Sequence, residues 1–465
     1  MNLPVPFEQS MRQLLGDGYE AFRDALLGEP AVSIRLNPSK WSGKPEYEAV
    51  PWATDGYYLP ERPQFTFDPL LHGGGYYVQE ASSMFVEQAV RQHLGEARVA
   101  LDLCAAPGGK STLLRSLLPD DCVLVSNEPM RPRAQVLAEN ISKWGHPRSI
   151  VTSNFPADFT PLGPLFDLIL VDAPCSGEGM FRKDEVAVSE WSPENVKVCW
   201  QRQRDILTDI WPTLREGGLL IYSTCTFNTA EDEENVRWMM SELGAELLPI
   251  ATDEAWGITQ SLVPDVAHAY RFLPGRTRGE GFFLAALRKR GDMSVAAASD
   301  ARAKKSKKSK DKRPAAVVPA ECKQWLTDGG SYIYKVVETE VVAIPTDMES
   351  LQMALGECLY LLKSGITLAE LKGRDAIPSH ELAMSTALNK EAFPTYELTY
   401  DEALKYLHKE AITLAGNTPR RFVIVTYRGV PLGFVKNLGN RANNLYPNEW
   451  RIRSGHFPEN EVKVI

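Results

Sequence analysis

Between residues 98 and 286, short apolar runs alternate with helical stretches, and this alternation limits the possible folds more than any other feature of the chain. The predicted strands read RVALDLC, CVLVSNE, SIVTSN, FDLILVDAP and GLLIYSTC. Each is a continuous apolar run, as expected for a parallel strand that is covered on both faces. The helical stretches between them include residues 111–118, 134–144 and 193–214. This βαβ pattern predicts an α/β fold with a Rossmann-like, doubly wound sheet.

The chain has 465 residues, so roughly two to four domains are expected. A segment that contains Ala, Ser, Lys and Pro but no aromatic residue cannot build a core, and it therefore predicts a flexible linker. The predicted units are a small N-terminal α/β domain (1–97), the doubly wound domain (98–290), the Lys-rich linker (291–319), a C-terminal α/β domain (320–412) and a compact β-module (413–465).

Charge is unevenly distributed along the chain. The net charge is −9, yet residues 302–313 carry a local +7, so the remainder sums to −16. Residues 417–456 hold seven Lys or Arg against one Glu, with Tyr, Phe and Trp between them. Basic and aromatic residues on strands suit contacts with RNA, whereas solvated charges on an ordinary β-domain are the alternative. Any nucleic acid is therefore expected to bind through local basic patches rather than through the electrostatic field of the whole protein.

Several classes of protein are not indicated by the sequence. Residues 1–10 lack the basic start and apolar run of a secretory signal, and no apolar stretch approaches the length of a membrane helix. The seven cysteines form no CxxC pair, and the seven histidines show no zinc pattern. We therefore expect a cytoplasmic protein with reduced thiols, no metal site and no membrane partner.

A candidate cofactor site lies at the ends of the first two predicted strands. Asp102 is followed by CAAPGGK, where small residues let a ligand approach backbone N–H groups at a helix N-terminus. Glu128 ends the second strand, where an acid can accept both ribose hydroxyls of a nucleoside cofactor. Each feature alone is equally typical of a tight turn or a helix cap. Together, on consecutive strands, they favour a nucleoside cofactor.

Two further strands end in residues that could carry chemistry. Asp172 and Cys175 follow one strand, and Cys225 follows the next. Ligands of doubly wound sheets bind beyond these strand ends, so the three side chains are expected to converge beside the cofactor. Methylation of carbon 5 of a pyrimidine uses such a set, because a thiol must first add to carbon 6 while an acid stabilises the ring. Cys104, Cys122, Cys199, Cys322 and Cys358 are instead expected to be small buried hydrophobes.

The segments that carry these residues resemble those of the Sun-type (NSUN) RNA cytosine-5 methyltransferases, particularly the bacterial RsmF-like 16S rRNA enzymes. The resemblance spans about residues 30–287 and rests on DLCAAPGGK, SNE, DAPCSGEGMFRKD, YSTCTFNTAEDEENV and HAYRFLPGRTRGEGFF. The C-terminal part is similar to the PUA-like RNA-binding extension of the RsmF group. This likeness implies a methyltransferase core with S-adenosyl-L-methionine as its cofactor.

The resemblance also implies roles for single residues, which spacing alone does not distinguish. Cys225 would attack carbon 6, Cys175 would assist proton removal or product release, and Asp172 would bond the cytosine edge and face the cofactor. Asn154 stands where the family usually has an acid near adenine. The residues implied to hold S-adenosyl-L-methionine are Cys104, Ala105, Ala106, Pro107, Gly108, Gly109, Lys110, Glu128, Asn154 and Asp172.

Other residues match family positions near the reacting base or the RNA path, although each is also consistent with a structural role. The positions near the RNA path are Arg35, Asn37, His268 and Arg271. Lys110 and Lys183 could orient Asp172 or the base, and the alternatives are a cation at a helix start and a solvated surface lysine.

The sequence therefore predicts a monomeric enzyme that makes 5-methylcytosine in 16S rRNA or the small ribosomal subunit, on a base that is flipped or unpaired. Three alternatives remain open at this point. The substrate could be tRNA, the chain could be a non-catalytic RNA-binding assembly factor, or the same cofactor site could serve methylation of a protein or small molecule.

Overall fold

A computed structural model describes residues 2–291, 317–373 and 375–465 of the chain. Residues 292–316, which make up most of the predicted linker and its basic run, lie outside the described residues. Within the described ranges, no helix has both the length and the apolar character needed to cross a bilayer.

The N-terminal region is a small three-stranded antiparallel sheet with helices around it, and its strands are ordered β2-β1-β3. Its elements are α1 (Val5–Leu15), α2 (Tyr19–Leu27), β1 (Val32–Leu36), β2 (Gly56–Leu59), α3 (Pro69–His72), β3 (Tyr76–Val78) and α4 (Val86–His93). The first two helices are separated at Gly16, whose φ of 54° is a conformation that favours glycine and ends α1.

The central region contains the predicted doubly wound sheet. Its elements are β4 (Val99–Asp102), α5 (Gly109–Leu117), β5 (Val123–Asn127), α6 (Arg131–Trp144), β6 (Ser149–Thr152), β7 (Phe166–Asp172), α7 (Glu185–Glu190), α8 (Pro193–Ile210), β8 (Leu214–Thr224), α9 (Glu233–Glu242), β9 (Ala245–Leu248), β10 (Thr259–Gln260), β11 (Ala269–Phe272) and β12 (Phe282–Lys289).

Strand order in the central sheet explains where a ligand can bind. The strands run β10-β11-β12-β8-β7-β4-β5-β6, and β8, β7, β4, β5 and β6 are parallel. From β4 the chain passes to β5 and β6 on one side, and later to β7 and β8 on the other. The loops after β4 and β7 therefore diverge and leave a crevice at the carboxyl ends of the strands. Leu101 and Ala100 are both fully buried in two different clusters, so the sheet is covered on both faces, as predicted.

The C-terminal region forms two four-stranded sheets, with orders β13-β14-β16-β17 and β18-β19-β20-β21. Its elements are β13 (Tyr332–Val337), β14 (Glu340–Pro345), α10 (Glu349–Cys358), β15 (Leu361–Ser364), β16 (Ile366–Lys372), β17 (Asp375–Pro378), α11 (His380–Met384), β18 (Thr395–Glu397), α12 (Tyr400–Leu407), β19 (Phe422–Tyr427), β20 (Val430–Asn437) and β21 (Ala442–Asn444). The hairpin between β19 and β20 turns at Arg428 and Gly429, both with positive φ.

One C-terminal strand joins the central sheet. β15 pairs antiparallel with β6, with Leu361 opposite Thr152 and Ser364 opposite Ile150. The N-terminal sheet and the last β-sheet also share one apolar cluster, in which Ile34 and Leu432 are both fully buried. The C-terminal region therefore completes the edge of the central sheet and packs against the N-terminal region.

Candidate active site

A cleft of about 430 Å³ opens at the carboxyl ends of β4, β7 and β8. Most of the predicted site residues line it: Cys104, Ala105, Ala106, Pro107, Gly109, Lys110, Asp172 and Cys225. Side chains that the sequence analysis did not single out form the opposite wall, and they include Ser33, Arg62, Tyr77, Gln79, Ser83, Met180, Glu280 and Phe282. Much of that wall comes from the N-terminal region, including residues 77–80 at the end of β3 and directly after it, where the sequence analysis used no motif.

The backbone conformation of Gly108 and the side chain of Arg35 fix the loop after β4 and the start of α5. Gly108 precedes α5 with a φ of 118°, which a residue with a side chain rarely adopts. Arg35 is buried and donates hydrogen bonds to the Gly109 carbonyl (3.2 Å) and the Thr112 hydroxyl (2.6 Å). Arg35 therefore braces the predicted cofactor loop from the N-terminal region and is not exposed to RNA.

Asp102 lies beneath the same loop and is fully buried. The Ser111 hydroxyl donates to its carboxylate over 2.7 Å. Burial, together with the negative charge of nearby Asp172, raises the pKa of Asp102 to about 7.

Glu128 lies at the end of β5, as predicted, but outside the lining of the cleft. Its carboxylate accepts the backbone N–H of Met130 (3.0 Å) and lies 3.4 Å from the Arg133 guanidinium. Arg133 also donates to the Ala106 carbonyl over 3.2 Å, so its long and largely exposed side chain bridges the β4 and β5 loops. Movement of this side chain would give a ribose access to the Glu128 carboxylate.

Asn154 follows β6, but its side chain is engaged by the C-terminal region. Its amide oxygen accepts the backbone N–H of Tyr360 (2.8 Å), and its amide nitrogen donates to the Tyr360 carbonyl (3.1 Å). An adenine contact from this side chain would require both bonds to break. The adenine contact predicted for Asn154 therefore competes with the two hydrogen bonds that its side chain makes to Tyr360.

The two predicted thiols are in contact. The Sγ atoms of Cys175 and Cys225 are 3.2 Å apart, at the ends of the adjacent parallel strands β7 and β8. The hydrogen bond to Cys225 and burial both raise the pKa of Cys175 well above that of an ordinary thiol. Cys175 is thus held as a neutral thiol that can donate its proton toward the Cys225 sulfur.

Asp172 lies beside this pair and is fixed from two sides. Lys110 Nζ lies 2.8 Å from one carboxylate oxygen, and the Ser223 hydroxyl donates to the other over 2.8 Å. Burial alone would lower the pKa of Lys110. The adjacent Asp172 outweighs the effect of burial, so the pKa of the ammonium is raised. The ammonium is therefore favoured in its charged form, and together with Ser223 it fixes the Asp172 side chain at the cleft.

Two buried acids clamp the loops that carry the thiols, and the sequence analysis missed them. Glu178, from the Cys175 loop, accepts the backbone N–H groups of Phe227 and Asn228 after Cys225 at 2.8 and 3.0 Å. Glu231 accepts the Ser176 N–H at 3.0 Å and the Asn228 amide at 2.8 Å. We refer to Glu178 and Glu231 as the carboxylate clamp. Both lie within the quoted motifs DAPCSGEG and TAEDEENV, so the available signal was an acid beside each cysteine.

The remaining predicted positions have different environments. Lys183 lines the cleft and pairs with Glu280 at 3.1 Å. Arg271 is buried, pairs with Asp232 at 3.1 Å, and therefore supports the core rather than a surface path.

Asn37 is fully buried and donates to the carbonyls of Gly74 and Trp144, whereas His268 lies exposed at the surface. Cys122, Cys199 and Cys322 are buried as predicted, whereas Cys104 is half-buried and lines the cleft, and the prediction for Cys358 was wrong. Cys358 ends α10 on its solvent side and is exposed. In the part of the chain that the structure describes, no group of three or more His, Cys, Asp and Glu side chains is arranged to hold a metal ion.

The residues around the cleft fit a nucleoside cofactor. The cleft volume is within the range of small-molecule sites, and a helix N-terminus and a strand-end acid stand where ribose and charged groups are usually held. The orientation of Glu128, with one carboxylate oxygen on a backbone N–H, leaves the other free of any backbone bond.

Comparison with known proteins identifies the family. A model of the 16S rRNA methyltransferase RsmB/F matches residues 91–288. Models of the N-terminal domain of 16S rRNA methyltransferase RsmF and of the methyltransferase RsmF PUA domain match residues 3–81 and 393–452. The C-terminal region is thus PUA-like, as the sequence resemblance implied.

Full-length relatives agree with these models. The chain is 32% identical to ribosomal RNA small subunit methyltransferase F of Klebsiella pneumoniae (strain 342), over 87% of this chain and 85% of the relative. It is also 32% identical to the protein of that name from Salmonella heidelberg (strain SL476), over 97% of both chains.

Solved structures share the fold of the central region. A methyltransferase homologue from Pyrococcus horikoshii has a TM-score of 0.53 and 27% identity, covering 61% of this chain and 94% of that one. NSun6 from Pyrococcus horikoshii, solved with SFG, has a TM-score of 0.52 and 21% identity, covering 62% and 99%. From its sequence and its fold, the chain belongs to the ribosomal RNA small subunit methyltransferase F family, and its cofactor is S-adenosyl-L-methionine.

Proposed function

We propose that this protein methylates carbon 5 of a cytosine in 16S rRNA through a covalent bond between Cys225 and carbon 6. The observation that carries the proposal is the 3.2 Å contact between the Cys225 and Cys175 sulfurs beside the fixed Asp172 carboxylate. A pair of thiols and an acid at one cleft is the set that this reaction needs, because carbon 5 becomes nucleophilic only after carbon 6 is attacked.

Of the two paired thiols, Cys225 lines the cleft and can reach a base within it. Its thiolate would add to carbon 6 while the Asp172 carboxylate, oriented by Lys110 and Ser223, accepts a hydrogen bond from the exocyclic amino group of the cytosine. The Lys110 ammonium beside that carboxylate would offset the negative charge that develops on the ring. S-adenosyl-L-methionine supplies the methyl group when it is bound, and the loop 104–110 with Glu128 would hold it.

Cys175 would act when the product is released. Because the pKa of Cys175 is raised, its neutral S–H can donate a hydrogen bond to the Cys225 sulfur and stabilise the thiolate. The same stabilisation favours departure of Cys225 from carbon 6, once a water molecule in the open cleft accepts the proton from carbon 5 and the electrons of that C–H bond form the carbon 5–carbon 6 double bond. The carboxylate clamp would hold the Cys175 and Cys225 loops in fixed positions relative to each other during these steps.

The substrate would reach the cleft as an unpaired or flipped base, because carbons 5 and 6 are inaccessible within a stacked helix. The N-terminal wall of the cleft and the basic, aromatic surface of the last β-sheet would position the RNA around it. Every side chain that the proposal uses comes from one chain, so we propose that a monomer is active.

Transfer of tritium from labelled S-adenosyl-L-methionine to small-subunit RNA, followed by nucleoside analysis, tests the proposal. We expect label in 5-methylcytosine with the wild-type protein and at least about a thousandfold loss with Cys225→Ala, because the step that activates the ring is removed. Binding of S-adenosylhomocysteine by the variant provides the control for folding. Near-normal turnover by Cys225→Ala would refute the nucleophile, and label in tRNA but not in 16S rRNA would refute the substrate.

A further inference from the structure

We infer that Tyr360, from the C-terminal region, forms the outer wall of the site that holds the adenosine end of the cofactor. A side chain more than 200 residues away from Glu128 would thus complete a site that otherwise belongs to the central domain. The inference concerns cofactor binding, so it stands independently of the RNA reaction proposed above.

The order of strands brings Tyr360 to this place. The glycine-containing loop follows β4, Glu128 follows β5 and Asn154 follows β6, in the order in which these strands lie across the sheet. A nucleoside whose ribose is held at the end of β5 has its base extending toward the end of β6. β15 is antiparallel to β6, so the start of β15, directly after Tyr360, lies beside that strand end.

Hydrogen bonds fix the Tyr360 backbone there. The Asn154 side chain hydrogen-bonds both the N–H and the carbonyl of Tyr360. The backbone N–H of Ser153 also donates to the Tyr360 carbonyl over 3.2 Å. Asn154 is only 8% exposed, so these bonds are made inside the protein. An amide is suited to this task because it donates and accepts at once, whereas an ionised acid only accepts.

The Tyr360 ring faces the cofactor side of the sheet. It packs against the guanidinium of Arg131, 4.9 Å from the ring centre, at the first residue of the helix that follows Glu128. Tyr360 is 49% exposed as a residue, and Met130 (56%) and Phe155 (65%), on the adjoining loops, are exposed as well. Three large apolar side chains left open at one strand-end edge indicate a ligand surface, and an aromatic ring suits a stacked purine.

Calorimetric titration of the full chain with S-adenosylhomocysteine and with adenosine tests the inference without requiring turnover. For Tyr360→Ala we expect both ligands to bind at least about fivefold more weakly, because loss of a stacking ring costs that much or more for a nucleic-acid base. Tyr360→Phe keeps the ring and should bind within about twofold of wild type. Met353→Ala removes an equally exposed apolar side chain, on α10, and should leave both affinities unchanged.

Unchanged affinity of Tyr360→Ala for both ligands would overturn the inference. An equal loss in Met353→Ala would overturn it too, because the effect would then belong to the C-terminal region as a whole. Failure of the RNA methylation assay would not affect it, since both ligands are titrated in the absence of RNA.

Discussion

The two ends of the active site are built differently. At the thiol end, Asp172, Cys175 and Cys225 all follow adjacent strands of one sheet, within 54 residues of sequence. At the adenosine end, the site contains Glu128, Asn154 and also Tyr360, which comes from the C-terminal region of the chain. The comparison teaches that chemistry can be carried by local motifs, while the shape of a binding site can depend on distant segments that no motif reveals.

After Cys225→Ala, the variant Cys175→Ala is expected to have the largest effect on the thiol end. Cys225 would still add to carbon 6, but its departure would lose the hydrogen bond from the neighbouring S–H. We therefore expect a covalent protein–RNA adduct to accumulate, visible as a shifted band on a denaturing gel. Cys199→Ala, which removes a buried thiol outside the cleft, is the control and should show no adduct. Clean turnover by Cys175→Ala would remove its assigned role.

Glu231→Gln should have an intermediate effect, because it alters the clamp without touching the cleft. The carboxylate accepts N–H donors on both oxygens, from Asn228 on one and from Ser176 and Gln203 on the other. A glutamine has only one acceptor oxygen, so an N–H group would face one of these donors. We expect turnover to fall roughly 10- to 100-fold.

A split between kinetic constants would distinguish this positioning role from general destabilisation. The affinity for S-adenosylhomocysteine and the KM for RNA should stay near wild type while kcat falls. Glu234→Gln changes an exposed acid of the same run and is the matched control. An unchanged kcat, or equal losses in the two variants, would contradict the clamp.

Asp102→Asn should have the smallest effect, on stability rather than on rate. The pKa of Asp102 is raised to about 7 in the folded protein by burial, above its value in the unfolded chain. The protonated carboxyl therefore stabilises the fold at low pH, and this contribution is lost as pH rises from about 4 to about 7. Relative to wild type, Asp102→Asn should gain on the order of 1–4 kcal/mol in unfolding free energy across this range.

Chemical denaturation at a series of pH values measures this difference. Asp120→Asn, at a fully exposed site, is the control and should follow wild type at every pH. A constant difference between Asp102→Asn and wild type would show that Asp102 does not titrate in this way.

Sequence patterns predicted the central sheet because buried parallel strands give continuous apolar runs, as in residues 166–172. They also predicted that Asp172 and Cys225 meet, since parallel strands end at one edge. The position of β15 was unpredictable, because a four-residue strand carries little periodic signal and its partner lies far away in sequence. Arg35 and Arg271 could not be recognised as buried from sequence alone, since an arginine is buried only where several distant acceptors converge on it.

The pairing of β15 with β6 has a consequence for synthesis of the chain on the ribosome. About 210 residues separate the two strands, so at ordinary elongation rates roughly 10–40 s pass before β15 emerges after β6. During that interval the backbone N–H and C=O groups along one side of β6 have no strand partner, and such an edge can pair with other chains. The nascent protein therefore has an edge open to aggregation from before its catalytic residues are made until its cofactor site is complete.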